Sequence, residues 1–295
     1  MGGKLGKLFS PLRRASAPPP NACIVLIHDS FNPQMAAGAE QGIREALDGS
    51  DVALIVRPLD RKMEDRVAAI RAILIEERPM GVVLLPPSSD SDAIAALCRE
   101  LGCGYVRLAA TAIEDSAHCL TSHDRRAAAD ATNHLIADGH SLIGFVAGPE
   151  HDLSAREREM GFLDAMADND LDRGATLIAS GDYSFETGLA AGRLMLDVSP
   201  RPTAIFASND GMAVGVLQAA RELKLAVPAQ LSIIGFGDTP IATRLDPELT
   251  SVHVPAWEMG HAAARRLIDP NAGREEPAHF FCKLVVRGST ARPGR

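Results

Sequence analysis

Four stretches of the 295-residue sequence place polar or aromatic side chains just beyond an apolar run, and these residue types suit ligand binding better than bond-making chemistry. The clearest is Ala204-Ile205-Phe206-Ala207-Ser208-Asn209-Asp210, where an apolar run stops at small polar residues and helical spacing resumes at Asp210. In open α/β sheets, ligands bind at the carboxyl ends of strands, so Asn209 and Asp210 form a polar hook aimed at a cleft. Asp210 suits an N-cap equally well, and both roles are compatible. Ala22–Ile27 delivers a second set, Asp29, Phe31 and Asn32. Phe31 reads either as a cleft residue or as packing under the loop, and Asn32 either as a ligand contact or as a turn residue before Pro33.

The third candidate is Arg156, in the first turn of a helix, where a cation opposes the helix dipole. A planar five-donor fork facing hydroxyls or a carboxylate would account for it, as would a surface salt bridge with Glu157 or Glu159. Tyr183, one of only two tyrosines, again follows a strand end. Its face could stack on a sugar or ring while its hydroxyl stays wet, or it could pack on the outer helix.

No catalytic set emerges. The sequence contains no Gly-x-Ser-x-Gly elbow and no phosphate-cradling loop. His118, Cys119 and His123 lie close together, but no companion pair has metal-ligand spacing, so no metal and no cofactor is expected.

Positioning these side chains takes strands that alternate with helices. Apolar runs predict strands at Ala22–Ile27, Val52–Val56, Gly81–Leu85, Tyr105–Leu108, Leu142–Val146, Ala175–Ala179, Ala204–Ala207 and Leu231–Phe236. Most are separated by one amphipathic helix, and Arg125–Asp138 is one of these helices. Such alternation implies parallel sheets covered on both faces, an α/β architecture. Ser88 and Ser89 are expected to cap a helix starting near Asp90. The weakly patterned stretch from Ala109 to Ser122 is expected to hold a first crossing between two lobes.

Composition narrows the function. With 46% hydrophobic and 23% charged residues the chain is globular, and its length is ample for large cores. A formal net charge of -8 argues against nucleic-acid binding by this core unaided. Five scattered cysteines without a Cys-x-x-Cys motif suggest reduced thiols in a cytoplasmic protein. Residues 1–21 read as a disordered basic leader; their apolar stretch is too broken for a signal peptide, and no run reaches membrane-spanning length.

From Ala22 onward the chain resembles the effector-binding core of the lactose-repressor/galactose-repressor (LacI/GalR) family of bacterial transcription regulators. The resemblance is carried by Ile143–Pro149 with Ser154–Phe162, by Pro202–Asp210, by Val227-Pro228 with Leu231–Phe236, by Leu249–Gly260 and by Leu284–Thr290. It implies two Rossmann-like lobes of the type I periplasmic-binding-protein kind, joined by three crossings. The expected lobes are 22–121 plus 254–280 and 122–253 plus 281–295. A small effector, a sugar or oligosaccharide, would sit between them in a homodimer and control operator binding allosterically. A sugar-binding protein of a transport system shares the fold and is the alternative, but it needs a secretion signal.

The family's ligand contacts carry over by resemblance to Asp29 and Asn32, Arg156, Tyr183, and Asn209 with Asp210. His123 or Asp124 stands where the family has an Asp-Asn pair. Gly237 replaces a usual acidic residue, which leaves Asp238 as the nearest carboxylate to accept sugar hydroxyls. Gly104 and Val254 also depart from the usual proline and glutamine. The family's helix-turn-helix head needs more than residues 1–21 can hold, so operator DNA is expected as a partner only through a head domain not seen here.

Overall fold

In a computed structural model, residues 21–29, 33–60, 65–109, 111, 116–171, 177–269 and 278–294 are described. The leader expected over 1–21 lies outside them, except for Asn21.

The chain builds β1 (Asn21–Asp29), α1 (Pro33–Ala46), β2 (Ala53–Leu59), α2 (Arg66–Glu77), β3 (Pro79–Leu84), a short 3-10 turn (Ser88–Asp90), α3 (Asp92–Leu101), β4 (Gly104–Ala109) and β5 (Cys119–Thr121). It continues with α4 (Asp124–Ala137), β6 (Ile143–Ala147), α5 (Leu153–Asp168), β7 (Leu177–Ser180), α6 (Phe185–Leu196), β8 (Ala204–Ala207), α7 (Asp210–Glu222), β9 (Ser232–Gly237), β10 (Thr250–His253), α8 (Ala256–Ile268) and β11 (Lys283–Val285).

Two sheets result. The first is parallel in the order β2-β1-β3-β4-β5; the second runs β11-β10-β9-β8-β6-β7, parallel except for the β10–β11 pair. The period-two alternation of a buried strand explains how both faces are used. In β1, Ile24 and Leu26 point to the face covered by α1 and α8, while Val25 and Ile27 point to the face under α2 and α3. The second sheet repeats the division, Ile205 and Ile233 meeting α6 and α7, and Phe145, Phe206 and Phe236 meeting α4 and α5. Each such apolar side chain contributes roughly 1.5–3 kcal/mol by leaving water.

The chain passes between the sheets after β5, between β10 and α8, and before β11. Beside β5 the returning segment pairs with it, the Phe280 N–H donating to the Thr121 carbonyl at 2.7 Å. The stretch expected to cross within Ala109–Ser122 thus contains a fifth strand, β5, too short to leave an apolar period. Ser91, not Ser88 or Ser89, caps α3, its hydroxyl accepting from the Ile94 N–H. The seventh strand is described from Leu177, and residues 172–176 lie outside the described set.

Candidate functional site

Strand ends of the first lobe face the start of α5 across the gap between the sheets. They bound a narrow, partly open cleft with His28, Asp29, Met35, Leu85 and Pro86 on one wall and Asp152, Ser154, Arg158 and Tyr183 on the other. Parallel strands place these turns at one edge of each sheet, which is why residues far apart in sequence converge there.

Asp29 is buried where β1 ends, with Arg66 of α2 3.5 Å from its Oδ2. The opposite wall is organised by Arg158. Its Nε donates to Asp124 Oδ2 at 2.8 Å and its Nη1 to the Ser208 carbonyl at 2.8 Å, while the guanidinium lies 3.9 Å from the Phe236 ring centroid. Burial opposes the charge of Arg158, but the facing Asp124, joined by Tyr183 and Asp152, more than offsets it and holds the guanidinium ionised. Asp124 also accepts from the Ser122 hydroxyl at 2.5 Å. A buried, doubly anchored guanidinium is a rigid platform, able to present remaining donor capacity without first ordering a long side chain.

Tyr183 sits at φ 70, in the left-handed region that a side chain seldom adopts, and Asn209 holds it there by donating to its carbonyl at 2.9 Å. Burial pushes its hydroxyl well above the ordinary tyrosine range, and the neighbouring Asp152 carboxylate, to which it hydrogen-bonds, adds to this. The hydroxyl is therefore a neutral donor and the ring a wall of the cleft. Gly148 makes room for that ring: a Cβ there would lie 2.6 Å from Tyr183 Cε1 and 2.8 Å from Ala155 Cβ. Gly148→Ala is accordingly expected to displace Tyr183 at a cost of about 1–3 kcal/mol, read by urea unfolding. A variant as stable as the parent would show that the ring moves freely.

The structure separates the residues singled out from sequence. Asp29, Tyr183 and, through Arg158, Asp124 belong to the cleft. Phe31 and Asn32 lie outside the described residues. Arg156 is corrected: it is exposed on the outer face of α5, because Ser154, Ala155, Arg158, Gly161 and Phe162 form the buried helical face. Asp210 is not free to meet a ligand, since Oδ1 accepts from the Ser251 hydroxyl at 2.5 Å and Oδ2 from the Thr239 N–H at 2.7 Å. It braces the turns after β8 and β9, and burial raises its pKa against those hydrogen bonds. Asn209, rather than Asp210, caps α7 by accepting from the Met212 N–H, which leaves it a positioning residue for Tyr183. Asp238 is engaged by Arg287 at 2.5 Å and by His253 at 3.2 Å, so the carboxylate lost at Gly237 is not replaced by a free one.

Arg158, Asp152, Ser154 and His28 were not identified from sequence. The helical period itself carries the missing signal for Arg158, which lies three residues after Ala155 and four before Phe162. Asp152 is legible as an N-cap, accepting from the Ala155 N–H, but its nearness to the cleft depends on the opposing lobe. Among the described residues no three His, Cys, Asp or Glu side chains gather as a metal set, and no helix is long and apolar enough to cross a membrane.

Residues 132–290, more than half of the chain, match the family described as periplasmic binding protein-like domain. The chain is 38% identical over 167 residues to the HTH-type transcriptional repressor CytR of Escherichia coli strain K12, covering 56% of this chain and 49% of that protein. To the HTH-type transcriptional regulator MalR of Streptomyces coelicolor it is 34% identical over 201 residues, or 65% of this chain and 58% of that one. The chain thus spans about half the length of such relatives. Among solved structures, the complex of the transcriptional regulator CelR with cellobiose superposes with a TM-score of 0.78 at 27% identity, covering 92% of this chain and 85% of that one. A regulator from Enterococcus faecium with bound ribose gives a TM-score of 0.80 at 22% identity, covering 92% and 99%, a likeness of fold.

Proposed function

The chain belongs to the LacI/GalR family of transcriptional regulators, and from that premise we propose that it is the effector-sensing core of such a regulator. A small polyhydroxylated ligand, a carbohydrate, enters the cleft and draws the lobes 22–121 plus 254–280 and 122–253 plus 281–295 together. The observation that carries this reading is the cleft itself, where Asp29 of one lobe faces Arg158 and Tyr183 of the other. Hydroxyls need acceptors and donors on both sides of a stackable ring, and these three side chains offer that set.

A ligand that contacts both lobes favours the closed state, and its leverage equals its differential affinity for closed over open. In this reading closure is relayed through a homodimer to operator DNA, bound by a head domain outside this chain, in the cytoplasm and without chemical turnover. The named relatives are regulators, which favours this reading over a transport protein.

The test is thermal unfolding against a panel of mono- and oligosaccharides, nucleobases and small acids. A ligand at about a hundred times its Kd should add roughly 2.7 kcal/mol. Tyr183→Ala should abolish the shift, and Arg156→Ala should leave it unchanged. A carbohydrate shift that survives Tyr183→Ala would place the site elsewhere.

A further inference from the structure

On the far side of Asp124 from the cleft there is a second, wider hollow of about 720 Å3, part of it open to solvent. One wall is the face of α4 bearing His123, Arg126 and Asp130; the other is the segment Phe281–Lys283 that leads into β11.

Three observations set this hollow apart from an ordinary surface dip. First, Phe281 is 51% exposed between the buried Phe280 and Cys282, and His123 stacks on it nearly parallel at 4.7 Å between centroids. Second, the Arg126 guanidinium stands 5.6 Å from the same ring, and neither Arg126 nor Lys283 makes an ion pair among the described residues. Arg44, Arg71, Arg125, Arg193 and Arg287, by contrast, each hold a carboxylate. Third, His123 is held at φ 57, a conformation that costs a side-chain-bearing residue of order 1–3 kcal/mol. Hydrogen bonds between His123 Nε2 and both His279 Nδ1, at 2.9 Å, and Thr121 Oγ1, at 3.2 Å, fix its ring against Phe281.

We propose that this hollow is a second ligand site, taking a small molecule that joins a planar ring to an anionic group. The ring stacks on Phe281, and the carboxylate or phosphate meets Arg126 and Lys283. Asp130 at the edge of the hollow accepts from a ring N–H or hydroxyl. His123 and Phe281 stand on two of the segments that pass between the sheets, after β5 and before β11, so a ligand bridging them restrains the hinge without entering the cleft.

Isothermal titration calorimetry of the full chain with benzoate and with adenosine 5′-monophosphate tests this. Binding by either is expected to weaken at least tenfold in Phe281→Ala and in the double variant Arg126→Glu with Lys283→Glu. Tyr183→Ala should bind them as the parent does, which separates this site from the cleft. Benzoate alone would identify aryl acids as the class, and the monophosphate alone nucleotides. These side chains lie at the surface, and thermal unfolding midpoints equal to the parent's would confirm that the variants fold. Absence of binding by both anions, or binding that survives Phe281→Ala and the double charge reversal, would overturn the proposal.

Discussion

Replacing Arg158 with alanine is expected to destabilise the second lobe by about 3–5 kcal/mol, the usual cost of removing one partner from a buried ion pair. The reason is what remains behind. Asp124 would keep a charge in a site from which water is excluded, with only the Ser122 hydroxyl and the weak Cys282 thiol donor, both on one oxygen. The Ser208 carbonyl would lose its donor, and the face of Phe236 its cation. Combining Arg158→Met with Asp124→Asn should recover much of the loss, because the stranded charge is gone and the volume is largely kept. Arg156→Ala, two residues away and exposed, should change stability by no more than about 0.5 kcal/mol. Urea unfolding followed by circular dichroism measures all three. Equal effects of Arg156→Ala and Arg158→Ala would refute the assignment of Arg158 as the organising residue.

The second large effect concerns pH. Asp90 ends the 3-10 turn of the first lobe, and burial, reinforced by Asp152 and then Asp124 of the second lobe, raises its pKa from 3.8 to about 7. Arg107 and Ser89 oppose the rise without cancelling it. One carboxylate oxygen of Asp90 is buried without a hydrogen-bond partner, which agrees with a group that prefers its neutral form. Between pH 4 and 7 the folded protein therefore holds a proton that the unfolded chain has released. Stability falls as pH rises through that window, and the penalty is complete above it.

A carboxyl held at about 7 instead of 3.8 is worth at most about 4 kcal/mol at pH 8. Asp90→Asn should leave stability at pH 4 nearly unchanged and increase it at pH 8. Since the repelling carboxylates sit on opposite lobes, lobe opening relieves the penalty, and effector affinity should fall between pH 6 and 8 in the parent but not in the variant. Unfolding midpoints and calorimetric affinities across that range decide the matter. Parallel pH profiles for parent and variant would exclude Asp90 as the titrating group.

The sequence alone determined the architecture, because strand and helix periods are local and the apolar runs are long enough to set them. β8 ends where the run Ala204–Ala207 ends, and Asp29 and Tyr183 reach the cleft because the first closes β1 and the second lies in the turn after β7, at strand ends that the sheet fixes. The family resemblance rests on the same local patterns. What the sequence could not decide is which polar side chains are already spent.

Asp210 and Asp238 look like free carboxylates until Ser251 of β10, 41 residues downstream of the first, and Arg287 beyond β11, 49 residues downstream of the second, arrive beside them. Arg156 and Arg158 differ by two residues, which on a helix of 3.6 residues per turn is about 200° of rotation. One therefore faces water, and the other reaches Asp124 and the cleft. The helical period points to Arg158, but tertiary structure settles the choice, because the partner that makes burying an arginine tolerable, Asp124, comes from a different helix. The same holds for Asp90, whose pKa depends on carboxylates that the opposite lobe brings to it.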